Sequence, residues 1–337
     1  MAVTMKQIAA RCGLSLPTVS YVLNGKDELF RPATKERVWA AARELGYRPN
    51  SAALAMRSGK FSSVGLVIGI QEKSTYMPFA GVEGIHDALA EVDYHLVVSR
   101  LSLKVLEAGA ELPKLLRQWM VDGLIYNFTE NAKGIPERLE ALVDEYKIPA
   151  VWLNDKRPQN AVYPDDEGGG KKAAQYLLEL GHRKIAYVGP NSEEAHYSQR
   201  DRMNGVIETF RAGGGTVTHC NLRWNEQRRE DARALLSGAD KPTAVVTYGN
   251  AEAFALYHAA LELGLKVPQD LSILPFANVL NESPLSIQFT KIQVPQYEMG
   301  AEAARMMLDR IKQPGKSVTS NVLDMKLVEG ESCIKAK

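Results

Sequence analysis

Residues 15–25 read SLPTVSYVLNG, and their types and spacing suit contact with a nucleic acid. On a helix, at 100° per residue, Val19, Val22 and Leu23 fall on one face. The opposite face carries Pro17, Ser20, Tyr21 and Asn24. Short polar side chains let a helix backbone approach phosphates, and residues near the helix N-terminus reach base edges. The stretch therefore predicts a short helix with a contact face for DNA.

A first helix precedes this one, and a glycine turn joins the two. Thr4 and Gln7 have the capping-box spacing, and Gly13 permits the positive φ that ends a helix. Ser15 can cap the second helix, which places Pro17 in the first turn, where its missing N–H has no consequence. Helix, turn and short helix together indicate a helix-turn-helix, whose second helix lies in the major groove. An αα-hairpin of an ordinary helical domain fits the spacing equally well.

A third helix is predicted from about residue 32 to residue 45, with Val38, Ala41 and Ala42 directed inward and Gly46 as its end. The segment RPNSAALAMRSGK (48–60) follows this helix. It begins with a Pro-Asn break and continues with a short apolar stretch that has no core of its own. Such a segment folds stably only against a partner.

Composition and charge limit the class of protein. A chain of 337 residues with 45% hydrophobic and 24% charged residues predicts two or three globular domains. It shows no signal peptide and no membrane span, which predicts a cytoplasmic protein. The three dispersed cysteines indicate neither a disulfide framework nor a metal site. Residues 1–60 carry ten basic and four acidic side chains, so a basic head precedes an acidic body, as expected if the head meets a polyanion.

From Val64 onward, strand-like apolar runs alternate with helical stretches. Eight strands are predicted, at residues 64–70, 94–99, 123–128, 149–153, 184–189, 216–220, 243–248 and 271–276. This order predicts an α/β fold of doubly wound parallel sheets, and a break near residue 160 divides it into two lobes. Ligands of such sheets bind beyond the carboxyl ends of the strands, so the cleft between the lobes is the expected ligand site.

The chain resembles the lactose-repressor (LacI/GalR) family of bacterial transcription regulators. The head carries this resemblance in VTMKQIAARCGLSLPTVSYVLNG and TKERVWAAARELGYRPN. The body carries it, in order, in VGLVIG, VDGLIY, YLLELGHRKIAYVG, PTAVV, LGLKVPQDLSIL and VPQYEMG. These motifs span almost the whole chain and favour the helix-turn-helix over the structural hairpin.

The resemblance implies a helix-turn-helix head (1–48), a hinge segment (49–61) and an effector-binding and dimerisation body (62–337). The body would have the two-lobed, type I periplasmic-binding-protein-like fold. Its first lobe would comprise about residues 62–160 plus 290–320, and its second about residues 161–289 plus 321–334. The family binds palindromic operators as homodimers, and no leucine-zipper pattern follows residue 330, which favours a dimer over a tetramer.

The family pattern also implies which residues contact DNA. Base-reading positions fall on Leu16, Pro17 and Tyr21. Phosphate-contacting positions fall on Thr4, Ser15, Thr18, Ser20 and Asn24. In the hinge, the family's wedge leucine falls on Met56 and its arginine on Leu54, so either residue is a candidate for unstacking a base step in the minor groove.

These base-reading residues predict an unusual operator preference. Leu16 and Pro17 offer only apolar contacts, for example to thymine methyl groups, and Tyr21 offers one hydroxyl. No arginine or glutamine on this helix can make a bidentate contact with a base. We therefore expect the operator to be specified partly by DNA shape and by the hinge. The insertion KDELF also departs from the family pattern, and Arg31 stands where a capping serine is expected.

Six residues are candidates for contact with a small-molecule effector: Asn154, Arg200, Arg202, Trp224, Asn250 and Asn278. Arg200 and Arg202 lie in the family's ligand-holding region, where Arg200 has the better spacing to Gly205. Asn154 stands where the family usually has aspartate, and Trp224 lies near its pocket aromatic. Ala277 replaces the aspartate that commonly binds ligand hydroxyls, which argues against an ordinary hexose as the effector.

The sequence predicts a DNA-binding transcription regulator, most simply a repressor, with no cofactor and no metal. It would be modulated by an inducer or a corepressor, sugar-like or another metabolite. A regulator with a protein partner or none is the main alternative, favoured by Ala277 and Gly249. A solute-binding protein would need a signal peptide and no helix-turn-helix, and an enzyme would need a catalytic constellation that the sequence does not show.

Overall fold

The computed structural model describes residues 3–25, 28–48, 59–70, 77–102, 120–127, 135–190, 196–223, 227–238, 240–277 and 287–337. The chain divides into two compact units, Met1–Phe61 and Ser62–Lys337, which we call the head and the body. The predicted hinge residues Leu54 and Met56, and the effector candidates Trp224 and Asn278, lie outside the described residues.

The head contains three helices: α1 (Met5–Cys12), α2 (Leu16–Leu23) and α3 (Pro32–Leu45). Gln7 Oε1 accepts hydrogen bonds from the Thr4 backbone N–H at 2.8 Å and from the Thr4 hydroxyl at 3.0 Å. Gly13 ends α1 with a φ of 62°, a left-handed conformation that glycine adopts without steric cost. Ser15 Oγ accepts the Thr18 backbone N–H at 3.3 Å. The predicted helices and caps of this region are confirmed.

Apolar side chains from all three helices form one small core in the head. Ile8 of α1, Val19 and Val22 of α2, and Val38 of α3 are each at most 1% exposed. The predicted inner face of α2 is therefore confirmed, because Val19, Val22 and Leu23 all belong to this core. Since α2 has only eight residues, its stability comes from this packing rather than from helix propensity.

The first lobe of the body is built on a six-stranded parallel sheet. Its strands are β1 (Ser63–Ile70), β2 (His95–Ser102), β3 (Gly123–Asn127), β4 (Ala150–Leu153), β5 (Ala161–Pro164) and β11 (Asn321–Leu323). They are arranged in the order β11-β5-β4-β3-β1-β2. Helices α4 (Phe79–Ala90) and α5 (Ile135–Tyr146) lie between these strands in the chain.

The second lobe repeats this plan. Its strands are β6 (Lys184–Val188), β7 (Thr216–Cys220), β8 (Ala244–Thr247), β9 (Ser272–Ala277), β10 (Lys291–Gln293) and β12 (Lys326–Val328). The order is β12-β10-β9-β8-β6-β7, and only the pairing of β10 with β12 is antiparallel among the described pairs. The intervening helices are α6 (Asp166–Glu179), α7 (Tyr197–Ala212), α8 (Arg228–Ser237) and α9 (Asn250–Glu262), and α10 (Gln296–Lys312) follows β10.

The central strands of each sheet are buried on both faces, as the predicted doubly wound fold requires. In β6, Ile185 and Tyr187 join one apolar cluster, whereas Ala186 and Val188 join another on the opposite face. Parallel strands buried on both sides read as continuous hydrophobic runs. The edge strands β2 and β7 are partly exposed, and all eight predicted strands occur in the structure.

The crossings between the lobes differ from the expected boundaries by a few residues. Because β5 pairs with β4, the first lobe extends to Pro164 rather than to about residue 160. The strand β10 pairs with β9 in the second lobe, although the first lobe was expected to resume at residue 290. The strand β11 pairs with β5 in the first lobe, although the second lobe was expected from residue 321. Backbone pairing of short strands, which no side-chain pattern marks, sets these positions.

Helix α10 lies directly against α4, and glycines allow this close approach. A Cβ on Gly84 would collide with the backbone carbonyl oxygen of Tyr297, and a Cβ on Gly300 would collide with that of Gly81. Both collisions are with backbone atoms, which cannot rotate away as the end of a flexible side chain can. A substitution at Gly84 or Gly300 must therefore shift one helix relative to the other.

We expect Gly84→Ala to destabilise the body by about 1–3 kcal/mol, because overpacking forces the two helices apart. Gly238→Ala is the matched control, since a Cβ there meets nothing closer than 3.9 Å and its φ is −72°. The control should leave stability unchanged or raise it by about 0.4–1 kcal/mol. Urea unfolding followed by circular dichroism measures both variants, and equal stability of the two would contradict this account of the packing.

Candidate functional site

The outward side chains of α2 form two hydrogen-bonded pairs. The hydroxyl oxygens of Ser15 and Thr18 lie 2.8 Å apart at the start of the helix. At its end, the Asn24 side-chain amide donates to the Ser20 carbonyl oxygen at 2.5 Å and to Ser20 Oγ at 3.2 Å. Four of the five predicted phosphate contacts therefore already satisfy one another, and Thr4 is similarly engaged with Gln7.

Tyr21 differs from these residues, because its hydroxyl has no hydrogen bond within the part of the head that the structure describes. The residue is 50% exposed. Its ring leans on Phe30, with centroids 6.4 Å apart and planes inclined by 37°. Phe30 itself packs on the head core, so it supports Tyr21 from behind. The tyrosine thus presents a supported ring and a free hydroxyl at the surface.

Leu16 and Pro17 complete the exposed face of α2. Leu16 is 39% exposed although it is apolar, and Pro17 is also exposed at the first turn. A large apolar side chain on the surface of so small a unit lacks a packing role, which is consistent with contact to a partner. The structure therefore groups Leu16, Pro17 and Tyr21 on one exposed helix, as the sequence predicted.

The head keeps several cations available around this helix. Arg11 pairs with Glu44 at 2.7 Å and Arg43 pairs with Glu36 at 2.6 Å, and all four side chains are more than half exposed. Four other cations form no ion pair with any described residue: Lys6, Arg31, Arg37 and Arg48. Free cations on a small head are the charges that neutralise DNA phosphates and make binding sensitive to salt.

A second candidate site lies where strands of the second lobe end, and Arg202 is at its centre. The Arg202 side chain is only 11% exposed, and its Nε donates to Asp166 Oδ1 at 2.7 Å. Its Nη1 donates to the Tyr248 carbonyl oxygen at 3.0 Å. The guanidinium carbon lies 4.8 Å from the Tyr248 ring centroid and 4.7 Å from that of Phe276. Burial by itself would lower the pKa of the Arg202 guanidinium. The Asp166 carboxylate stabilises the charged form, and the net result is a raised pKa.

The two candidate arginines occupy opposite environments. The sequence analysis preferred Arg200 for its spacing to Gly205, yet Arg200 is exposed and has no hydrogen bond to any described residue. Arg202 is buried, and its Nε and Nη1 both donate hydrogen bonds within the protein. Gly205 packs tightly against Gly170 of α6. Arg202 lies three positions before Gly205 and therefore shares its face of α7. Burial therefore favours Arg202 as the arginine of this site.

A chain of hydrogen bonds connects this site with the first lobe. The Tyr248 hydroxyl lies 2.9 Å from Ser198 Oγ, which lies 2.7 Å from His196 Nδ1. On the other side of the ring, His196 Nε2 lies 2.9 Å from the backbone carbonyl oxygen of Asn154, just after β4. Burial lowers the pKa of His196 to about 4, so the imidazole is neutral at neutral pH.

Further contacts join the same two regions. The Tyr197 hydroxyl donates to Asn154 Oδ1 at 3.4 Å, and the rings of Tyr163 and Tyr197 meet edge to face with centroids 6.3 Å apart. Lys156 Nζ lies 2.5 Å from Asp201 Oδ2. Asn154 is thus directed at α7 in the second lobe, where both its carbonyl and its side chain are used.

Asn250 and Ala277 lie at the same end of the second-lobe sheet. Asn250 is the first residue of α9, directly after β8, and is half-buried without a hydrogen bond to any described side chain. Ala277 ends β9 and is 5% exposed. The replacement of aspartate by Ala277 therefore leaves an apolar surface at this strand end.

Sequence reasoning did not identify four residues of this site: Asp166, His196, Ser198 and Tyr248. Tyr248 could have been found, because it directly follows a predicted strand. Asp166 is the first residue of α6, and its spacing gives no hint of a buried partner on α7. His196 and Ser198 follow no strand, and only the packing of α7 on α6 brings them to Asn154.

The described ranges contain no group of three or more His, Cys, Asp or Glu side chains that could hold a metal ion. Nor does any helix there have the length and apolar character needed to span a bilayer.

Comparison with known proteins gives two matches to family models. Residues 4–50 match the bacterial regulatory proteins of the lacI family, and residues 174–333 match a periplasmic binding protein-like domain. The chain is 31% identical over 338 residues to the HTH-type transcriptional repressor PurR of Edwardsiella ictaluri (strain 93-146), which covers 98% of this chain and 96% of that protein. It is 30% identical over 343 residues to PurR of Escherichia coli O1:K1 / APEC, with the same coverage.

Solved structures have the same architecture. A lac repressor dimer bound to operator and the anti-inducer ONPF matches with a TM-score of 0.80 at 24% identity, over 99% of this chain and 100% of that chain. The complex of the transcriptional regulator CelR with cellobiose matches with a TM-score of 0.64 at 26% identity, over 98% and 99% of the two chains. The predicted helix-turn-helix head and two-lobed body are confirmed.

We expect Asp166→Asn to destabilise the body by about 3–5 kcal/mol, because it leaves the Arg202 charge buried without a counter-charge. Asp144→Asn makes the same chemical change at an exposed position of α5 and should change stability by less than about 0.5 kcal/mol. Chemical denaturation of both variants tests this. A loss below about 1 kcal/mol for Asp166→Asn would show that the pair is dispensable.

Proposed function

The chain belongs to the lacI family of bacterial regulatory proteins, and on that premise we propose that it represses transcription by binding a palindromic operator as a homodimer. The observation that carries the proposal is the exposed face of α2, where Leu16, Pro17 and Tyr21 stand on a compact basic head. The relatives that match over nearly the whole chain are repressors, which supports the same role here.

In the proposed complex, α2 lies in the major groove. Leu16 and Pro17 contact thymine methyl groups, and the free hydroxyl of Tyr21 bonds one base edge. The phosphates are contacted by Thr4, Ser15, Thr18, Ser20 and Asn24 together with the backbone N–H groups at the start of α2. Because the Ser15–Thr18 hydroxyl pair is exposed, exchanging it for phosphate contacts changes the free energy little, whereas the bonds between Asn24 and Ser20 are partly buried.

The hinge adds the second part of operator recognition in this proposal. Met56, or Leu54 in its place, inserts between base pairs at the operator centre and bends the duplex. Sequence preference at that position then comes from how readily the step unstacks rather than from hydrogen bonds. The apolar character of Leu16 and Pro17 makes this contribution important, since α2 supplies few polar base contacts.

For the body, we propose a neutral effector bound between the lobes. Near this site Arg202 pairs with Asp166, Lys156 with Asp201 and Arg228 with Glu252, whereas the exposed Arg200 has no ion-pair partner among the described residues. Within the described residues, a charged ligand would therefore find no buried, unpaired counter-charge, and its desolvation would be unfavourable. Arg202, Asn154, Asn250, Trp224 and Asn278 remain the proposed effector contacts, whereas Arg200 is too exposed to be a strong candidate.

The proposed mechanism is linkage between effector binding and DNA binding. An effector changes operator affinity only by its different affinity for two arrangements of the lobes. An inducer favours the arrangement that separates the two hinges of a dimer, and a corepressor favours the one that pairs them. The protein would act in the cytoplasm, where the chromosome lies, and it is proposed as a regulator rather than an enzyme.

A regulator without a small-molecule effector is the second candidate. Two observations favour it. Ala277 provides no acceptor at the end of β9, and the guanidinium of Arg202 is already occupied by Asp166. Both features reduce the number of groups available to bind a ligand in the cleft.

Selection from random DNA duplexes should yield a palindromic site. On that site, Tyr21→Ala should weaken binding about 5- to 30-fold, which corresponds to about 1–2 kcal/mol for one specific contact. Tyr146→Ala removes a comparably exposed tyrosine from the body and should have no effect. Fluorescence anisotropy measures both affinities. Selection without a palindrome, or equal behaviour of the two variants, would refute the proposed role of α2.

A thermal-shift screen tests the effector proposal with neutral sugars, nucleosides and nucleobases set against sugar phosphates and sugar acids. A ligand at 100 times its Kd adds about 2.7 kcal/mol of stability, which is readily detected. We expect hits among neutral compounds only, and Asn250→Ala should abolish the shift without loss of the fold. Hits restricted to anions would contradict the charge argument. A flat screen with intact operator binding would favour the regulator without an effector.

A further inference from the structure

We propose that the hydrogen-bond chain Tyr248–Ser198–His196–Asn154 ties the two lobes together and transmits events at the Arg202 site to the angle between them. In this role His196 is a positioning residue: it contacts neither DNA nor the proposed effector, yet it helps to set operator affinity. The inference rests on the proposed function for its effect on DNA, but the tie itself can be tested without DNA.

The first end of the chain is part of the effector site. Tyr248 uses its backbone carbonyl to accept Arg202 Nη1 at 3.0 Å, and its ring faces the same guanidinium at 4.8 Å. The Tyr248 hydroxyl, 2.9 Å from Ser198 Oγ, then begins the chain. A ligand that displaces Arg202 or the Tyr248 ring must therefore move the first hydroxyl of the tie.

Chemistry fixes the direction of each hydrogen bond. The Asn154 carbonyl oxygen can only accept, so His196 Nε2 carries the proton and donates across the lobes at 2.9 Å. In the neutral ring Nδ1 must then accept, and it does so from the Ser198 hydroxyl at 2.7 Å. The Ser198 oxygen is left to accept from Tyr248. Only one arrangement of protons satisfies the whole chain.

The middle of the chain is buried, which makes a broken link unfavourable. Ser198 is 2% exposed and His196 is 8% exposed, so water does not readily replace a lost partner. A buried donor or acceptor without a partner bears its full desolvation penalty. Because burial also keeps His196 neutral, the arrangement of protons is the same throughout the physiological pH range.

Asn154 provides a rigid attachment to the first lobe. Its backbone N–H donates to the Val162 carbonyl oxygen of β5 at 2.8 Å, while its own carbonyl accepts from His196. Its φ of 60° turns the carbonyl away from the strand direction, a conformation that asparagine tolerates better than most residues. Movement of His196 is therefore passed directly to the sheet of the first lobe.

The other contacts between these regions are weaker candidates for the tie. The bond from Tyr197 to Asn154 Oδ1 is long, at 3.4 Å. Lys156, which pairs with Asp201, has a half-exposed side chain although that of Asp201 is only 12% exposed, and solvent around the lysine weakens this ion pair. The buried chain through His196 is thus the contact whose loss most increases the range of lobe angles.

The test uses three variants of the full-length protein: His196→Gln, Ser198→Ala and Tyr248→Phe. Tyr248→Phe is the most conservative, because it removes only the hydroxyl and keeps the ring over Arg202. Tyr257→Phe is the matched control, a half-buried tyrosine of the second lobe that packs on Phe289 and lies outside the chain. Amide hydrogen exchange reports the tie directly, and anisotropy on the selected operator and on random DNA reports its effect.

We expect faster exchange in residues 154–163 for all three variants and unchanged exchange there for the control Tyr257→Phe. Operator affinity should fall about 5-fold or more in His196→Gln, because an untied body spends less time in the arrangement that spaces the hinges correctly. Affinity for random DNA should not change. The double variant Tyr248→Phe/His196→Gln should lose no more than His196→Gln alone, since both act on one chain.

Several outcomes would overturn the inference. Unchanged exchange in Tyr248→Phe and Ser198→Ala would show that the chain does not tie the lobes, and it would do so even if His196→Gln failed to fold. Faster exchange with unchanged operator affinity would show that the tie does not control DNA binding. If the wild-type protein selects no operator while the exchange results hold, the proposed function fails and the tie stands.

Discussion

The buried ion pair between Arg202 and Asp166 determines the geometry of the cleft side of the second lobe. It joins α7 to the start of α6, and through the Tyr248 carbonyl and the Phe276 ring it also fixes the ends of β8 and β9. A guanidinium removed from water is tolerated only where acceptors and ring faces replace its hydration, as they do here. Because α7 also begins with the residues that reach Asn154, the same pair fixes the place from which the lobes are tied.

Most of the fold could be predicted from the sequence, for a definite physical reason. Strands buried on both faces must be apolar throughout, so β1, β6 and β9 are visible as runs of hydrophobic residues. The strands β10 and β11 have three residues each and include polar side chains, so they show no such run. Only pairing with a neighbouring strand defines them, and pairing is a tertiary property. The positions of the lobe crossings depended on these strands and were therefore misplaced by a few residues.

The candidate site was predicted in its neighbourhood but not in its residues. The rule that ligands bind at strand ends predicts a site near Tyr248, Asn250 and Ala277, and in the structure Arg202 contacts Tyr248 in this region. Spacing to Gly205 favoured Arg200, whereas helix geometry favours the residue three positions before that glycine, which is Arg202. His196 had no sequence signal, since its partner Asn154 is 42 positions away and belongs to the other lobe. Long-range pairing of polar groups leaves no periodic pattern in a sequence.

One principle applies to the head and to the body: polar groups that satisfy each other are less available to select a partner. On α2, Ser15 bonds Thr18 and Asn24 bonds Ser20, whereas the Tyr21 hydroxyl has no partner among the described residues and is the group that we propose to discriminate between bases. In the body, Asp166 occupies Arg202, which removes the charge that would have selected an anion. Specificity then depends on shape, on apolar contact and on a few free groups. A regulator built in this way would gain a rigid, preorganised surface at the expense of strong polar recognition, and it would depend on the proposed hinge contact with DNA and the proposed tie between the lobes.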